Sequence, residues 1–405
     1  MANNYAFKDC LPVAPLKLAA LDGCQELASL VNDHIVSFRR HDMEEMIRQK
    51  KDLNFRGYHV DSYLLNFKCP RFGSGEGKAI LAESVRGTDI FAMADVTNHS
   101  LTYQMYGNTN HMSPDDHFQN LKRLIGAVSA TCHRLTVIMP FLYESRQHKR
   151  SSRESLDCAM ALEELVTMGV KNIITFDAHD PRVQNAIPLN CFDNFMPTYQ
   201  FVKTLLQREP NLVLDKEHLM IISPDEGAMD RAVYLANNLS VDMGMFYKRR
   251  NYSQIVDGRN PIVAHEFLGS SVEGKTVLII DDMISSGESM LDTARELKER
   301  KAKKVIICCT FGLFTGGFEK FDEFYEKGCI DHVITTNLNY RPKELLGRPW
   351  YLEADMSEFL AAIINSLNHD VSIERTLSPT EKLQKLIRRY RSGESLDSPE
   401  TTFGV

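Results

Sequence analysis

Residues 277–289 read VLIIDDMISSGES. The apolar run VLII predicts a buried strand, Asp281 and Asp282 stand at its carboxyl end, and a turn of small residues precedes the helical pattern ESMLDTARELKER. In an open parallel sheet the carboxyl ends of the strands form the ligand crevice, and the next helix presents unpaired N–H groups with the positive end of its dipole. Gly287 permits close backbone approach, while the hydroxyls of Ser285, Ser286 and Ser289 add hydrogen bonds to an anion. The chemistry is that of a phosphate cradle beside two carboxylates that accept hydrogen bonds from sugar hydroxyls. The GxxxxGK[ST] pattern and its lysine are absent, so this is not the ATP-binding loop of P-loop enzymes. The plain alternative is an ordinary strand, turn and helix with polar turn residues.

Other segments carry groups suited to phosphate. Arg146, Gln147 and Arg153 lie in the loop SRQHKRSSRES (145–155), whose planar guanidinium groups suit paired phosphate oxygens; a solvated surface loop is the alternative. Asp225 follows the apolar run LMIIS and offers carboxylate oxygen, which suits magnesium. His179 follows NIITFDA; imidazole is an unusual magnesium ligand, and by itself it reads as a hydrogen-bonded structural histidine. Taken alone, Phe72 reads as core and YKRR (247–250) as a basic strand end facing solvent.

The elements that position these groups are legible as short apolar runs: LKLAAL (16–21), DIFAMADV (89–96), LTVIMPFL (135–142), NIITFDA (172–178), LMIISPD (219–225), TVLIIDD (276–282), KVIICCT (304–310) and HVITTN (332–337). Continuous runs of this length suit strands buried on both faces. Helical patterns alternate with them, the clearest beginning at SPDDHF, with Ser113 as cap, Pro114 at the first helical position and Phe118, Leu121, Leu124, Ile125 and Val128 as one apolar stripe. Alternation predicts parallel sheets covered by helices. Two domains follow, at 14–197 and 198–345, with a helix within 350–374 returning to the first domain. Residues 375–405 form an extra helix, with a capping-box pattern from Ser378 to Glu381, and a disordered tail.

The chain has 405 residues, of which 43% are apolar, enough for two cores. A net charge of −7 argues against wholesale binding to nucleic acid or an anionic membrane, so any phosphate site is local. Nine scattered cysteines, an odd number without a Cys-x-x-Cys pair, favour a reducing cytoplasm. The start MANNYAFKDCLPVAP has no basic segment followed by an apolar stretch, and no apolar run approaches about 18 residues, so neither export nor membrane insertion is expected.

The order of apolar run, two acids, two residues, two small hydroxyl residues and Gly in 277–287 resembles the phosphoribosyl pyrophosphate (PRPP) signature shared by phosphoribosyltransferases and PRPP synthetases. From about residue 14 to 374 the chain is similar to the ribose-phosphate diphosphokinase (PRPP synthetase) family, with RFGSGE (71–76), ESVRG (83–87), SRQHKRSSRES, FDAHDPRVQ (176–184), SPDEG (223–227), YKRR and the 277–289 stretch in the family's order. That resemblance implies an α/β fold of two tandem phosphoribosyltransferase-like domains, each a mainly parallel sheet flanked by helices. It also implies Mg²⁺-dependent transfer of the β,γ-diphosphoryl group of ATP to the C1 hydroxyl of ribose 5-phosphate, giving PRPP and AMP. Carried over residue by residue, it assigns Phe72, Glu76, Arg146, Gln147 and Arg153 to ATP, with Phe72 reaching a neighbouring subunit's site. His179 and Asp225 are assigned to magnesium, and Lys248 and Arg250 to the transferring phosphoryl group. Asp281, Asp282, Ser285, Ser286, Gly287, Glu288 and Ser289 are assigned to ribose 5-phosphate. A homo-oligomer built from dimers, up to a hexamer, is implied as well.

The chain departs from the family pattern at Ser74, at Ser151-Ser152 in a shortened loop, at Asp180-Pro181, at Ser285-Ser286 and at Glu288-Ser289. At the start of a helix Glu288 favours an outward orientation. These departures leave a regulatory, catalytically weak or silent subunit as an alternative; a phosphoribosyltransferase, which shares only the 277–289 signature, is the weaker one.

Overall fold

The computed structural model describes residues 10–48, 55–250, 262–373 and 379–396. The first half runs β1 (Leu16–Ala20), α1 (Gln25–Arg48), β2 (Phe67–Lys68), β3 (Ile80–Leu81), β4 (Asp89–Met93), β5 (Thr102–Met105), β6 (Asn108–His111), α2 (Pro114–Val128), β7 (Arg134–Ile138), α3 (Asp157–Thr167), β8 (Asn172–Phe176) and β9 (Cys191–Phe195). The second runs α4 (Thr198–Arg208), β10 (Leu219–Ser223), α5 (Met229–Leu239), β11 (Asp242–Arg250), β12 (Ile262–Leu268), β13 (Thr276–Ile284), α6 (Glu288–Glu299), β14 (Lys304–Gly312), α7 (Glu319–Glu326), β15 (His332–Thr336), α8 (Lys343–Leu346) and β16 (Tyr351–Ala354), followed by α9 (Ser357–Asn368) and α10 (Pro379–Ser392).

Strands β1, β4, β7, β8 and β9 lie side by side, all parallel. The second sheet has the order β12-β11-β10-β13-β14-β15-β16 and is parallel except for β12, which runs antiparallel to β11. The apolar runs are strands of the two sheets, all inner except β1 at the edge of the first, and every residue of β4 and of β10 is buried. Ser113 caps α2 through a reciprocal capping box with Asp116, and Pro114 occupies its first turn. Among the described residues no helix is long and apolar enough to cross a membrane.

The second sheet extends past residue 345, because β16 pairs with β15 before the chain turns back. Four residues, YLEA, two of them buried, are too short to register as an apolar run. Helix α9 then packs on α1, placing Phe359, Leu360, Ile363 and Ile364 in one cluster with Leu27, Ala28, Val31 and Ile35. The same cluster takes in Phe311 and Leu338 from the second half, so the two halves share a continuous apolar layer.

Buried polar groups fix the end of α9. Arg39, 1% exposed, lies between the rings of Tyr58 and Tyr63 and donates to Asn365 Oδ1 at 3.0 Å and Asn368 Oδ1 at 2.7 Å. Asn368 in turn donates to Ala14 O and to the fully buried Asp89, which Arg134 grips with two nitrogens. Helix α10 lies on α4 and α5 with Leu383, Leu386 and Ile387 buried, each worth about 1.5–3 kcal/mol when fully buried. Its Tyr390 Oη stands 2.9 Å from Glu209 O and from Leu212 O. Ser378 and the tail beyond residue 396 lie outside the described residues.

His369, 3% exposed, donates from Nδ1 to Asn365 O at 2.7 Å. Burial pulls its pKa down to about 4, the carbonyl of Asn365 acting against this and Arg39 adding to it. An unfolded histidine takes up its proton near pH 6.5. Stability that is intact above pH 6.5 is therefore lost as pH falls from 6.5 to about 4, by up to ~1.4 kcal/mol per pH unit and roughly 3 kcal/mol in all. Urea unfolding of wild type and His369→Gln at stepped pH should show the wild type losing this much relative to the variant; a gap that does not change with pH contradicts the burial.

Candidate active site

From β10 the second sheet grows one way, through β11 and β12; from β13 it grows the other, through β14, β15 and β16. The carboxyl ends of β10 and β13 thus flank a topological switch point, where open α/β sheets bind ligands. Asp225 follows β10, and Asp281 and Asp282 lie on the last turn of extended chain in β13. Asp225 accepts from Gly227 N at 2.9 Å, so its carboxylate is held against the start of the next segment.

The turn after β13 is fixed by Gly287. Its φ is +83°, a region that favours glycine, and a Cβ there would stand 2.4 Å from the ring of Phe321. The turn is backed by the loop after β14: Thr315 N donates to Ser285 O at 2.9 Å, and the two hydroxyls are 3.5 Å apart. Ser286 is exposed and Ser289 half-buried. Glu288 pairs with Lys320 Nζ of α7 at 2.7 Å, both side chains largely exposed.

Beneath the turn a buried ionic network crosses between the halves. His179, after β8, donates from Nδ1 to Asp282 Oδ2 at 2.7 Å. Arg231, from α5, reaches back to the first half, donating through Nε to Asp177 Oδ1 at 2.5 Å and through Nη2 to Ala178 O at 3.2 Å; its Nη2 is 3.8 Å from Asp282 Oδ2. Thr310 Oγ1 donates to Asp177 Oδ2 at 2.6 Å. Asp177 is 4% exposed and holds a φ of +42°, a strained conformation that Asp tolerates better than most residues.

The charges in this network act on one another. Burial pushes Asp177 up to about 6, with the guanidinium of Arg231 opposing and the charge of Asp282 adding. Burial, then the charges of Asp282 and Asp225, hold Asp281 well above the usual carboxylate range. Asp282 lies below that range: burial acts upward, but the hydrogen bond from His179 and the charge of Arg231 outweigh it. One member of the adjacent pair therefore stays charged, and the other sits where a cation or a hydrogen-bond donor would relieve it.

A cavity of about 550 Å³ opens between the halves, and Tyr143, Arg146, Ser285, Phe314, Thr315 and Asn339 are among the residues lining it. Arg146 rests with Nε and Nη2 at 3.2 and 2.8 Å from Met283 Sδ, one residue beyond Asp282. Gln147 faces its own loop, donating to Lys149 O and Ser155 O, and Arg153 is exposed. Phe72 and Glu76 do not line this cavity; they sit on an exposed turn where Ser74 Oγ donates to Glu76 Oε2 at 3.0 Å. Lys248 and Arg250 fall on the end of β11, where it overshoots β10 as a ribbon with β12; their side chains lie outside the described residues. Among the described residues no group of three or more His, Cys, Asp or Glu is arranged to hold a metal ion.

Sequence reasoning missed Asp177, Arg231 and Thr310. Arg231 is one of two charged residues on α5, 54 positions from Asp177, and no local pattern marks it. Asp177 and Thr310 do have a signal, since each is a polar residue that ends an apolar strand run.

Comparison with known proteins places this fold. A model of the N-terminal domain of ribose phosphate pyrophosphokinase matches residues 16–169, and one of the phosphoribosyl transferase domain matches residues 195–341. The chain is 28% identical over 307 residues to the ribose-phosphate pyrophosphokinase of Vibrio cholerae, covering 75% of this chain and 88% of that one. It is 27% identical over 274 residues to that of Staphylococcus haemolyticus, covering 67% and 77%. The crystal structure of phosphoribosylpyrophosphate synthetase from Mycobacterium smegmatis shares the fold with a TM-score of 0.67 at 20% identity, over 88% of this chain and 99% of that one. Fold and switch-point site define a tandem α/β protein with two phosphoribosyltransferase-like domains. The chain belongs to the ribose-phosphate pyrophosphokinase family.

Removing Arg231 leaves Asp177 buried without its cation, a change that costs about 3–5 kcal/mol. Arg231→Met should lose stability on that scale in urea unfolding, and Asp177→Asn in the same chain should restore part of it. Equal losses in the single and double variants would show that the pair is not what holds the halves.

Proposed function

We infer that this protein transfers the diphosphoryl group of ATP to the C1 hydroxyl of ribose 5-phosphate, giving PRPP and AMP, in a Mg²⁺-dependent reaction. The observation that carries this reading is the contact between His179 and Asp282, which sets the ATP-side segment of the first domain directly against the sugar-side strand of the second. Arg146 and Ser285, assigned to the two substrates by resemblance, line one cavity, as a transfer between two bound molecules requires.

In this reading the 5-phosphate sits on the turn from Ser285 to Ser289, where Gly287 lets the backbone approach and the start of α6 favours an anion. Asp281 and Asp282 accept hydrogen bonds from ribose hydroxyls, and Arg146 holds the triphosphate. Lys248 and Arg250 meet the charge that develops on the transferring phosphoryl oxygens, which stabilises the transition state more than the bound substrate.

Magnesium fits the carboxylate donors, while the imidazole of His179 is an unusual partner for it. Asp225 offers a carboxylate, and the Nδ1 bond to Asp282 fixes the ring of His179 and leaves Nε2 as its ligand atom. Burial and neighbouring negative charge at Asp281 favour a cation there. Magnesium is commonly held by one or two protein groups together with substrate phosphates and water, so no cluster of three side chains is needed. When bound, the ion neutralises charge on the phosphate oxygens. A silent regulatory subunit is the second reading, supported by the departures at Ser74, Ser285, Glu288 and the shortened loop.

Purified protein incubated with ATP, Mg²⁺ and ribose 5-phosphate should form AMP and PRPP in equal amounts; no product at any phosphate concentration overturns the reading. Lys248→Ala should lower kcat by about 10²–10³ with much less change in ATP affinity, as loss of a transition-state contact does. Equal loss in both contradicts the role given to Lys248.

A further inference from the structure

Strands β5 and β6 form a two-stranded hairpin in which no residue is fully buried. Such a hairpin is marginal alone, so its stability has to come from what it touches. Along β5 successive side chains alternate between faces, and Tyr103 and Met105 share one. Both meet the turn that carries Phe72 and Glu76. The guanidinium of Arg71 lies 4.6 Å from the centre of the Tyr103 ring, and the same side chain donates to Gly75 O and to Asp116 at 3.0 Å each. Met105 closes over Gly75, where φ is +93° and a Cβ would stand 2.6 Å from the methionine sulfur.

The hairpin's own turn makes the third contact. Tyr106 and Gly107 both have positive φ, +49° and +76°, the two-residue turn that matches strand twist. A bulky side chain is rare in that conformation. It aims Tyr106 N at Gly73 O, 2.9 Å away. Within the 71–77 turn itself, Phe72 N donates to Glu76 O at 2.7 Å and Gly75 N to Phe72 O at 2.9 Å. Phe72 is nevertheless 52% exposed, with Lys78 Nζ 5.4 Å from its ring centre, so its position depends chiefly on the backbone that carries it.

We propose that the 102–111 hairpin is a brace for this turn, and that Tyr103 and Met105 are positioning residues that set where Phe72 and Glu76 meet the base of a purine nucleotide. The assignment of the base to these two residues rests on the function inferred above. The brace itself rests on the three contacts. Nucleotide affinity then depends on a hairpin that touches no ligand, while binding of the sugar phosphate does not.

The test is Tyr103→Leu combined with Met105→Ala in the full chain, with Phe72→Ala as a separate variant. Hydrogen exchange at the amides of Phe72 and Gly75 should quicken in the double variant, and the KM for ATP should rise about tenfold, the size of one lost cation–π and packing contact. The kcat and the KM for ribose 5-phosphate should stay within about twofold, and Phe72→Ala should raise the KM for ATP likewise. Unchanged exchange overturns the brace, as does an unchanged KM for ATP in the double variant where Phe72→Ala raises it. A parallel fall in kcat and in affinity for both substrates also overturns it, since that is the mark of general unfolding. If Phe72→Ala leaves the KM for ATP unaltered, the base-side reading fails on its own, and the exchange rates alone decide whether the brace stands.

Discussion

Two carboxylates buried on opposite sides of a domain junction cannot stand unpaired, and one guanidinium answers both. Arg231 binds Asp177 of the first half and lies within 3.8 Å of Asp282 of its own half, which also takes the proton-bearing nitrogen of His179. Charges taken out of water are tolerated only when partners and hydrogen bonds replace the lost hydration. The network therefore fixes how the two sheets face each other. Around it Asp95 accepts from Tyr340 N at 2.6 Å and Arg341 pairs with Glu26 at 2.8 Å, again from one half to the other.

That arrangement brings polar groups from two halves to one cavity. The second sheet supplies a switch point, a glycine turn and adjacent aspartates whose proton affinities diverge. The first supplies His179 and the loop of Arg146. Their juxtaposition leaves a cavity large enough for small-molecule chemistry and lined from both sides.

Much of this was legible in the sequence, and the failures have physical causes. Inner strands read clearly because both faces are covered, so each is a continuous apolar run; β9, at a sheet edge, and β11, which carries YKRR, break that pattern. The turn at Gly287 was readable from residue type, since only glycine meets both the φ and the space beside Phe321. The outward path of Glu288 followed from the helix dipole, though its partner Lys320 did not. Arg231 and the hairpin contacts of Tyr103 and Met105 were illegible, because each depends on residues brought together from distant parts of the chain.

The bond between His179 and Asp282 makes the two residues one unit across the junction. A double-mutant cycle with His179→Asn and Asp282→Asn, read as kcat/KM for ATP, tests it most directly. Each single change should cost about 10- to 100-fold, the effect of losing an orienting partner, and the double variant should be no worse than the poorer single. Losses that simply multiply would mean that the two residues work independently, and that the contact joining the halves is not what unites the site.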